Sequence, residues 1–332
     1  MKIILIITFL LTVWQLSGQV GIVINLEEPY LENLEKNKLN LVDETYLYIN
    51  DGRSKELFYY ALKPKGKVKG TLILLPPTAQ PTEGVINENS ELLELAYQKE
   101  LLVLVPSLNY NLCLDEVTMQ FLNTTFREAI KKYKAPKDKI VMGGFSLGGM
   151  NAIRYVQLAN ENTELTSIQP VAVYGVDPPL DWARIYYSFL QTKELNFSEV
   201  AVNEATNYLA KLEQGFGGSP KEVPEMYVKH SMYSKTEKQG GNAIYLKNTP
   251  IRIYADVDLN WHLKERQTDL YNINALDQTA MINQLRIAGN GKAEFINALG
   301  KGYRSNGTRH PHAWSIVDPV ELIDWLQLQL EI

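Results

Sequence analysis

Residues 139–150 read KIVMGGFSLGGM, and this stretch decides the fold. Ile140, Val141 and Met142 form a short unbroken apolar run, the pattern of a strand buried on both faces. Gly143, Gly144, Gly148 and Gly149 flank Ser146 with residues that lack a Cβ, so the chain is free to turn abruptly from strand to helix. A side chain raised on such a turn projects beyond the sheet edge. The helix that follows aims its free N-terminal amides and positive dipole end at the same point, where they would stabilise developing negative charge. Read in that context, G-x-S-x-G predicts a nucleophile elbow with Ser146 as the nucleophile.

The segments on either side support the same architecture. Residues 71–75, 101–105, 140–142 and 171–174 are compact apolar runs separated by helical patterns, an alternation that predicts a parallel sheet with helices on both faces. Leu122, Phe126 and Ile130 recur every four residues, which gives an amphipathic helix over about 115–133. Asp318, Pro319 and Glu321 supply a cap, a proline at the first helical position and an acid at the third, and so mark a final helix. Residues 251–255 and 293–296 read as later strands, with a helix between them over about 265–288. Near the start, the tyrosine-rich runs 45–49 and 55–62 flank Asn50, Asp51 and Gly52, which suggests an antiparallel pair. Between 181 and 248 the alternation gives way to helix-like stretches and glycine loops, and this segment reads as an insertion.

Composition narrows the function classes. The 332 residues are 45% hydrophobic and 21% charged, as in an ordinary globular protein, and a net charge of -5 argues against nucleic acid as a partner. Lys2, the apolar stretch 3–14 and the small residues Ser17 and Gly18 read as a signal peptide over 1–18, with a mature domain over 19–332. The apolar run is shorter than the roughly 20 residues a spanning helix needs, so a secreted or periplasmic protein without a stable membrane anchor is expected. Cys113 is the only cysteine, so no intramolecular disulfide is available, and its leucine neighbours suit a buried small side chain.

A serine hydroxyl at its ordinary pKa needs a base, and the base needs an orienting acid. Among the four histidines, His312 in RHPHAWSIVD lies between the last strand and the last helix and is the expected base; His310 is the alternative. IRIYADVD places Asp258 just past a strand as the expected acid, with Asp256 and Asp177 as alternatives. Leu147 and the loop PPTAQP should supply the oxyanion amides. Pro76 and Pro77 have no N–H, which leaves Thr78 or Ala79, with Thr78 preferred. Trp261, Tyr303 and Arg304 flank these residues and are expected to line a substrate pocket, with Arg309 as a further cation for a carboxylate. No third metal ligand accompanies His310 and His312 in local spacing, and the reading requires neither metal nor cofactor.

Through GFSLGG, YADVD and HPHAW, in the order Ser, Asp, His, the chain resembles the α/β-hydrolase family over roughly residues 45–330. The stretch 240–318 looks like that of secreted bacterial hydrolases. The resemblance implies an eight-stranded, mostly parallel sheet with a helical cap inserted after the sixth strand. The family's loop after the third strand often begins His-Gly, where this chain has Pro76-Pro77. A serine at the elbow implies acyl transfer to water, hence hydrolysis of a carboxylic ester, with a small molecule or an acylated carbohydrate as substrate. A serine peptidase of the same fold, or a non-catalytic binding protein built on it, are the alternatives.

Overall fold

The computed structural model describes Ile24 and residues 28–42, 47–48 and 56–332. The leader expected at 1–18 lies outside these residues. Eight strands are formed among them: β1 (Leu34–Val42), β2 (Glu56–Leu62), β3 (Gly70–Leu75), β4 (Leu101–Pro106), β5 (Ile140–Phe145), β6 (Ala172–Val176), β7 (Ile251–Ala255) and β8 (Ala293–Asn297). They make one sheet in the order β1-β2-β4-β3-β5-β6-β7-β8. β1 and β2 run antiparallel, and every pairing from β3 to β8 is parallel.

The strands of the centre read as continuous apolar runs because both faces are covered. In β3, Leu72 and Leu74 enter one apolar cluster while Ile73 and Leu75 enter the other; in β4, Leu102 and Leu104 alternate with Leu101, Val103 and Val105. Helices α1 (Thr82–Glu88) and α2 (Ser90–Gln98) follow β3, and α3 (Glu116–Tyr133) follows β4. α4 (Leu147–Glu161) follows β5. Phe121, Leu122 and Phe126 of α3 pack with Ile153 of α4 on one face, opposite Leu92 and Leu93 of α2.

Between β6 and β7 stand α5 (Trp182–Leu195), α6 (Glu199–Phe216) and α7 (Pro224–His230), then 3-10 turns over Lys238–Leu246. Their ends carry local signals. Asp181 accepts the N–H groups of Ala183 and Arg184, Ser198 accepts that of Ala201, and Gly217 ends α6 in the left-handed region at φ 91°. A buried ion pair joins Arg184 of α5 to Asp277, fixing the insertion to the main body.

Two expectations are corrected here. The strand paired with β2 is Leu34–Val42, with Leu34 opposite Leu62 and Lys38 opposite Phe58. Of the expected partner 45–49 only Leu47 and Tyr48 are described, and both are buried. β1 lies at the sheet edge and is rich in polar residues: Glu35 and Asn37 bond Tyr133 and Lys132, so its hydrophobic pattern is weak in sequence. The helix expected over 265–288 is instead a short α8 (Leu259–Trp261), a π-turn (His262–Arg266), a 3-10 turn (Leu270–Asn272) and α9 (Ala275–Ile287). Gln267 adopts φ 54° and stops the π-turn, and the Asp269–Asn272 capping box starts the next.

α10 (Pro319–Leu330) closes the fold, burying Leu322, Ile323 and Leu326. The Asp318 side chain accepts from the N–H groups of Val320 and Glu321, both at 3.1 Å. Asp318→Ala is expected to lower the unfolding free energy by about 1 kcal/mol in urea titration, while Asp318→Asn keeps most of it.

Candidate active site

Ser146 sits between β5 and α4 at φ 54° and ψ −124°, a backbone conformation rarely adopted by residues with a side chain. Its N–H is held by the Val176 carbonyl at 2.8 Å, and its own carbonyl accepts from Met150 at 3.0 Å. The flanking glycines are required by contact. A Cβ on Gly148 would lie 2.1 Å from the Leu75 carbonyl oxygen, and one on Gly144 would lie 2.5 Å from the Gly148 carbonyl carbon. On Gly143 it would strike the Tyr174 ring at 2.1 Å.

The residue that meets His312 is Asp177. His312 Nδ1 lies 2.5 Å from Asp177 Oδ2, and Gln278 donates to the other carboxylate oxygen at 2.8 Å. Asp177 follows β6 at φ 43°, a left-handed conformation that Asp tolerates better than most residues, and its N–H bonds the Tyr254 carbonyl of β7. Burial, the largest single influence, would push this carboxyl up. The charge and hydrogen bond of His312 together with the Gln278 amide outweigh it, holding the group below its usual range.

The expected acid, Asp258, is therefore corrected to Asp177 as the partner of His312. Asp258 Oδ1 accepts the N–H of Trp261 at 3.0 Å and caps α8, while Oδ2 meets Arg309 Nη2 at 3.0 Å. Asp256 holds the histidine loop. Its buried carboxylate accepts from Gly300 and Gly302 N–H at 3.0 and 2.8 Å and pairs with Arg309 at 2.8 Å. Arg309 is thus fully engaged by two carboxylates. Phe145 packs on the His312 ring, with centroids 4.4 Å apart.

His310 also lines the cavity, but its ring nitrogens are engaged elsewhere. Its Nε2 accepts from Arg266 Nη2 at 2.9 Å, which leaves Nδ1–H to donate to the His312 carbonyl at 3.0 Å. Burial, then the charges of Arg304, His312 and Arg266, push it down to about 3.

Ser146, Leu147, Asp177, His262 and His312 line one cavity of about 240 Å³. Trp182, Ile185, Phe189 and Tyr208 of the insertion form its apolar wall. Leu147 opens α4, so its N–H has no acceptor within the helix. The Ala79 N–H is engaged by the Asn109 carbonyl at 2.6 Å, which leaves Thr78 of the two expected donors. Thr78 is not itself in the cavity wall, but its hydroxyl accepts from that of the wall residue Tyr208 at 3.4 Å.

Trp261, Tyr303 and Arg304, expected to line the pocket, are not in its wall. Trp261 packs edge-on against His262 and His310, whereas Tyr303 and Arg304 are exposed. Sequence reasoning missed His262 and Arg266 as wall residues, and Gln278 as the second support of Asp177. The i, i+4 spacing of His262 and Arg266 was visible, but only the π-turn sets both against the cavity.

No protein-family profile and no curated protein matches the chain. Solved structures do. A thermophilic esterase from Thermogutta terrifontis superposes with a TM-score of 0.53 at 14% identity, over 90% of this chain and 93% of that one. The Francisella virulence factor BioJ gives 0.51 at 14% identity, over 90% and 85%. The acylaminoacyl peptidase of Pyrococcus horikoshii gives 0.53 at 13% identity, over 90% of this chain and 42% of that one. The chain has the α/β-hydrolase fold.

The depressed His310 pKa links stability to pH. The unfolded imidazole binds its proton near pH 6.5 and the folded one only near 3, so the unfolded state holds more protons between these values. Stability is therefore full above about pH 6.5 and falls as pH drops through that window. His310→Gln is expected to flatten the pH dependence by up to one proton, read from urea midpoints between pH 7 and 4.

Proposed function

We propose that the chain is a secreted serine hydrolase that cleaves carboxylic esters through an acyl-enzyme on Ser146. The observation that carries this reading is that a strained serine at a helix N-terminus shares one cavity with a partly buried, hydrogen-bonded His312–Asp177 pair. Asp177 fixes the Nδ1–H tautomer of His312 and so leaves Nε2 free to act as the base. On attack, the Ser146 Oγ–C bond forms and the hydroxyl proton passes to Nε2. The oxyanion is met by the Leu147 N–H, with Thr78 as the second donor. Collapse breaks the ester C–O bond and returns the proton to the leaving alcohol. Water then repeats the sequence against the acyl-enzyme, releasing the acid and free Ser146.

The leader pattern at 1–18 supports export. Phe189 and Tyr208, stacked with centroids 5.4 Å apart, give the cavity an aromatic wall suited to a sugar or aryl ring, which favours an acylated carbohydrate among ester substrates.

A fluorophosphonate probe is expected to label the wild-type protein and not Ser146→Ala, and absence of wild-type labelling in folded protein would refute the reading. With short-chain aryl esters, Asp177→Asn is expected to lower kcat by about 10³–10⁴, as loss of the correct tautomer does in such triads. Asp258→Asn should retain at least about a tenth of the wild-type kcat, since that side chain supports a turn and a loop arginine.

A further inference from the structure

The cavity contains a cation that the hydrolytic machinery does not use. Each charged group in its wall can be followed to its partner: Asp177 holds His312, Asp256 holds Arg309, and Arg184 is paired with Asp277. Glu204 lies exposed on α6. Arg266 differs from all of these. It is half-buried in the wall, and among the described residues no carboxylate pairs with its guanidinium. It is positioned by His310 Nε2, a neutral acceptor, and lies beside the Trp261 ring at 5.9 Å. A neutral acceptor orients the guanidinium without cancelling its charge. The partly desolvated cation therefore retains hydrogen-bonding capacity toward an anion, the arrangement in which charge-assisted bonds are strong.

Its location sets which part of a substrate it would meet. This step rests on the ester-hydrolase reading. His312 must return its proton to the leaving oxygen, so the alcohol portion lies on the histidine side of the cavity. Arg266 is bonded to His310, two residues from His312 and hydrogen-bonded to its backbone. Thr268 lines the same side, and a small adjoining recess shares Arg266, Thr268 and Asn272 with the cavity and is otherwise walled in part by the apolar Leu195 and Phe197.

We propose that Arg266 is a specificity residue that binds a carboxylate on the alcohol portion of the substrate, so that the preferred substrates are esters of carboxylate-bearing alcohols or phenols. Arg309, engaged by Asp256 and Asp258, is not available for that role, and Arg304 is outside the cavity wall.

The test compares 4-acetoxybenzoate with 4-acetoxybenzamide, which share the acyl group and ring and differ in the negative charge. The wild-type preference for the carboxylate, expressed as the ratio of kcat/KM values, is expected to fall about tenfold or more in Arg266→Gln. Arg266→Lys, which keeps a point charge without the planar fork, should fall between. A second measurement is independent of turnover. In Ser146→Ala, calorimetric titration should show 4-hydroxybenzoate binding about tenfold more tightly than 4-hydroxybenzamide, and adding Arg266→Gln should remove the difference. Circular dichroism melting establishes that each variant is folded. A ratio unchanged within twofold in both measurements, or absence of any carboxylate preference in binding, overturns the proposal while leaving ester hydrolysis standing. Conversely, a carboxylate preference in binding with neither ester turned over overturns the hydrolase reading and leaves the anion site standing.

Discussion

The constraint on which the rest depends is the contact between two stretches of backbone at the elbow. The first turn of α4 approaches the end of β3 so closely that a single methyl on Gly148 would overlap the carbonyls of Leu75 and Pro76, at 2.1 and 2.5 Å. A methyl on Gly149 would lie 2.6 Å from the Gly144 carbonyl. This approach brings the amide of Leu147 beside the loop that carries Thr78, and it forces Ser146 into its positive φ. Strain at one residue is maintained because the sheet on one side and α4 on the other both fix its position. Relaxing it would require breaking the bond from Ser146 N–H to the Val176 carbonyl, which ties β5 to β6. The same β6 then delivers Asp177 one residue later, so the strained serine and the acid are placed by adjacent strands of a single rigid sheet.

Three aspartates at this edge show how position divides identical chemistry. Asp177 receives an imidazole, Asp256 receives two backbone amides and an arginine, and Asp258 receives a helix-start amide and the same arginine. The Asp256 contacts pull residues 300–302 against the end of β7, and Arg309 then crosses back to bond the Gly302 carbonyl at 2.8 Å. Further along the loop, Trp314 donates to Gln80 at 2.9 Å and anchors it to the segment after β3. The loop between these anchors therefore has its direction fixed before His312 is reached. Asp256 acts on the histidine through backbone position, and Asp177 acts on it directly.

This division explains what the sequence disclosed. The central strands were legible because their apolar runs reflect local burial on both faces, α3 because Leu122, Phe126 and Ile130 share one buried face, and the start of α10 because Asp318 caps within three residues. The serine was legible because the glycines around it answer a local steric demand. The acid was not. Asp177, Asp256 and Asp258 all follow strands that end at the same edge, and the choice among them depends on the path of a loop more than 40 residues away. The edge strand β1 was hidden for a different reason: its Glu35 and Asn37 are paired with Lys132 and Tyr133 of α3, so alternation in hydrophobicity is weak there. The interrupted segment after β7 was misread as one helix because nothing in local spacing separates a π-turn from an α-turn.

The insertion adds a further physical consequence. Arg184 lies on α5 and Asp277 on α9, so their buried contact holds the insertion to the body through a charge pair. Removing one partner would leave the other charge buried without compensation, which costs far more than the intact pair contributes. The pair thus acts against displacement of α5, whose Trp182, Ile185 and Phe189 supply the cavity's apolar wall. α6 reaches the body through weaker contacts, the Tyr208 hydroxyl at 3.4 Å from the Thr78 hydroxyl and Lys211 over the Tyr110 ring at 4.3 Å. The exposed Leu195, Phe197 and Val200 mark the turn between the two helices as the least covered part of the insertion. The cavity wall supplied by α5 is therefore tied to the body by a buried ion pair, whereas the α5–α6 turn presents apolar side chains to solvent and is the part of the insertion from which local opening would cost least.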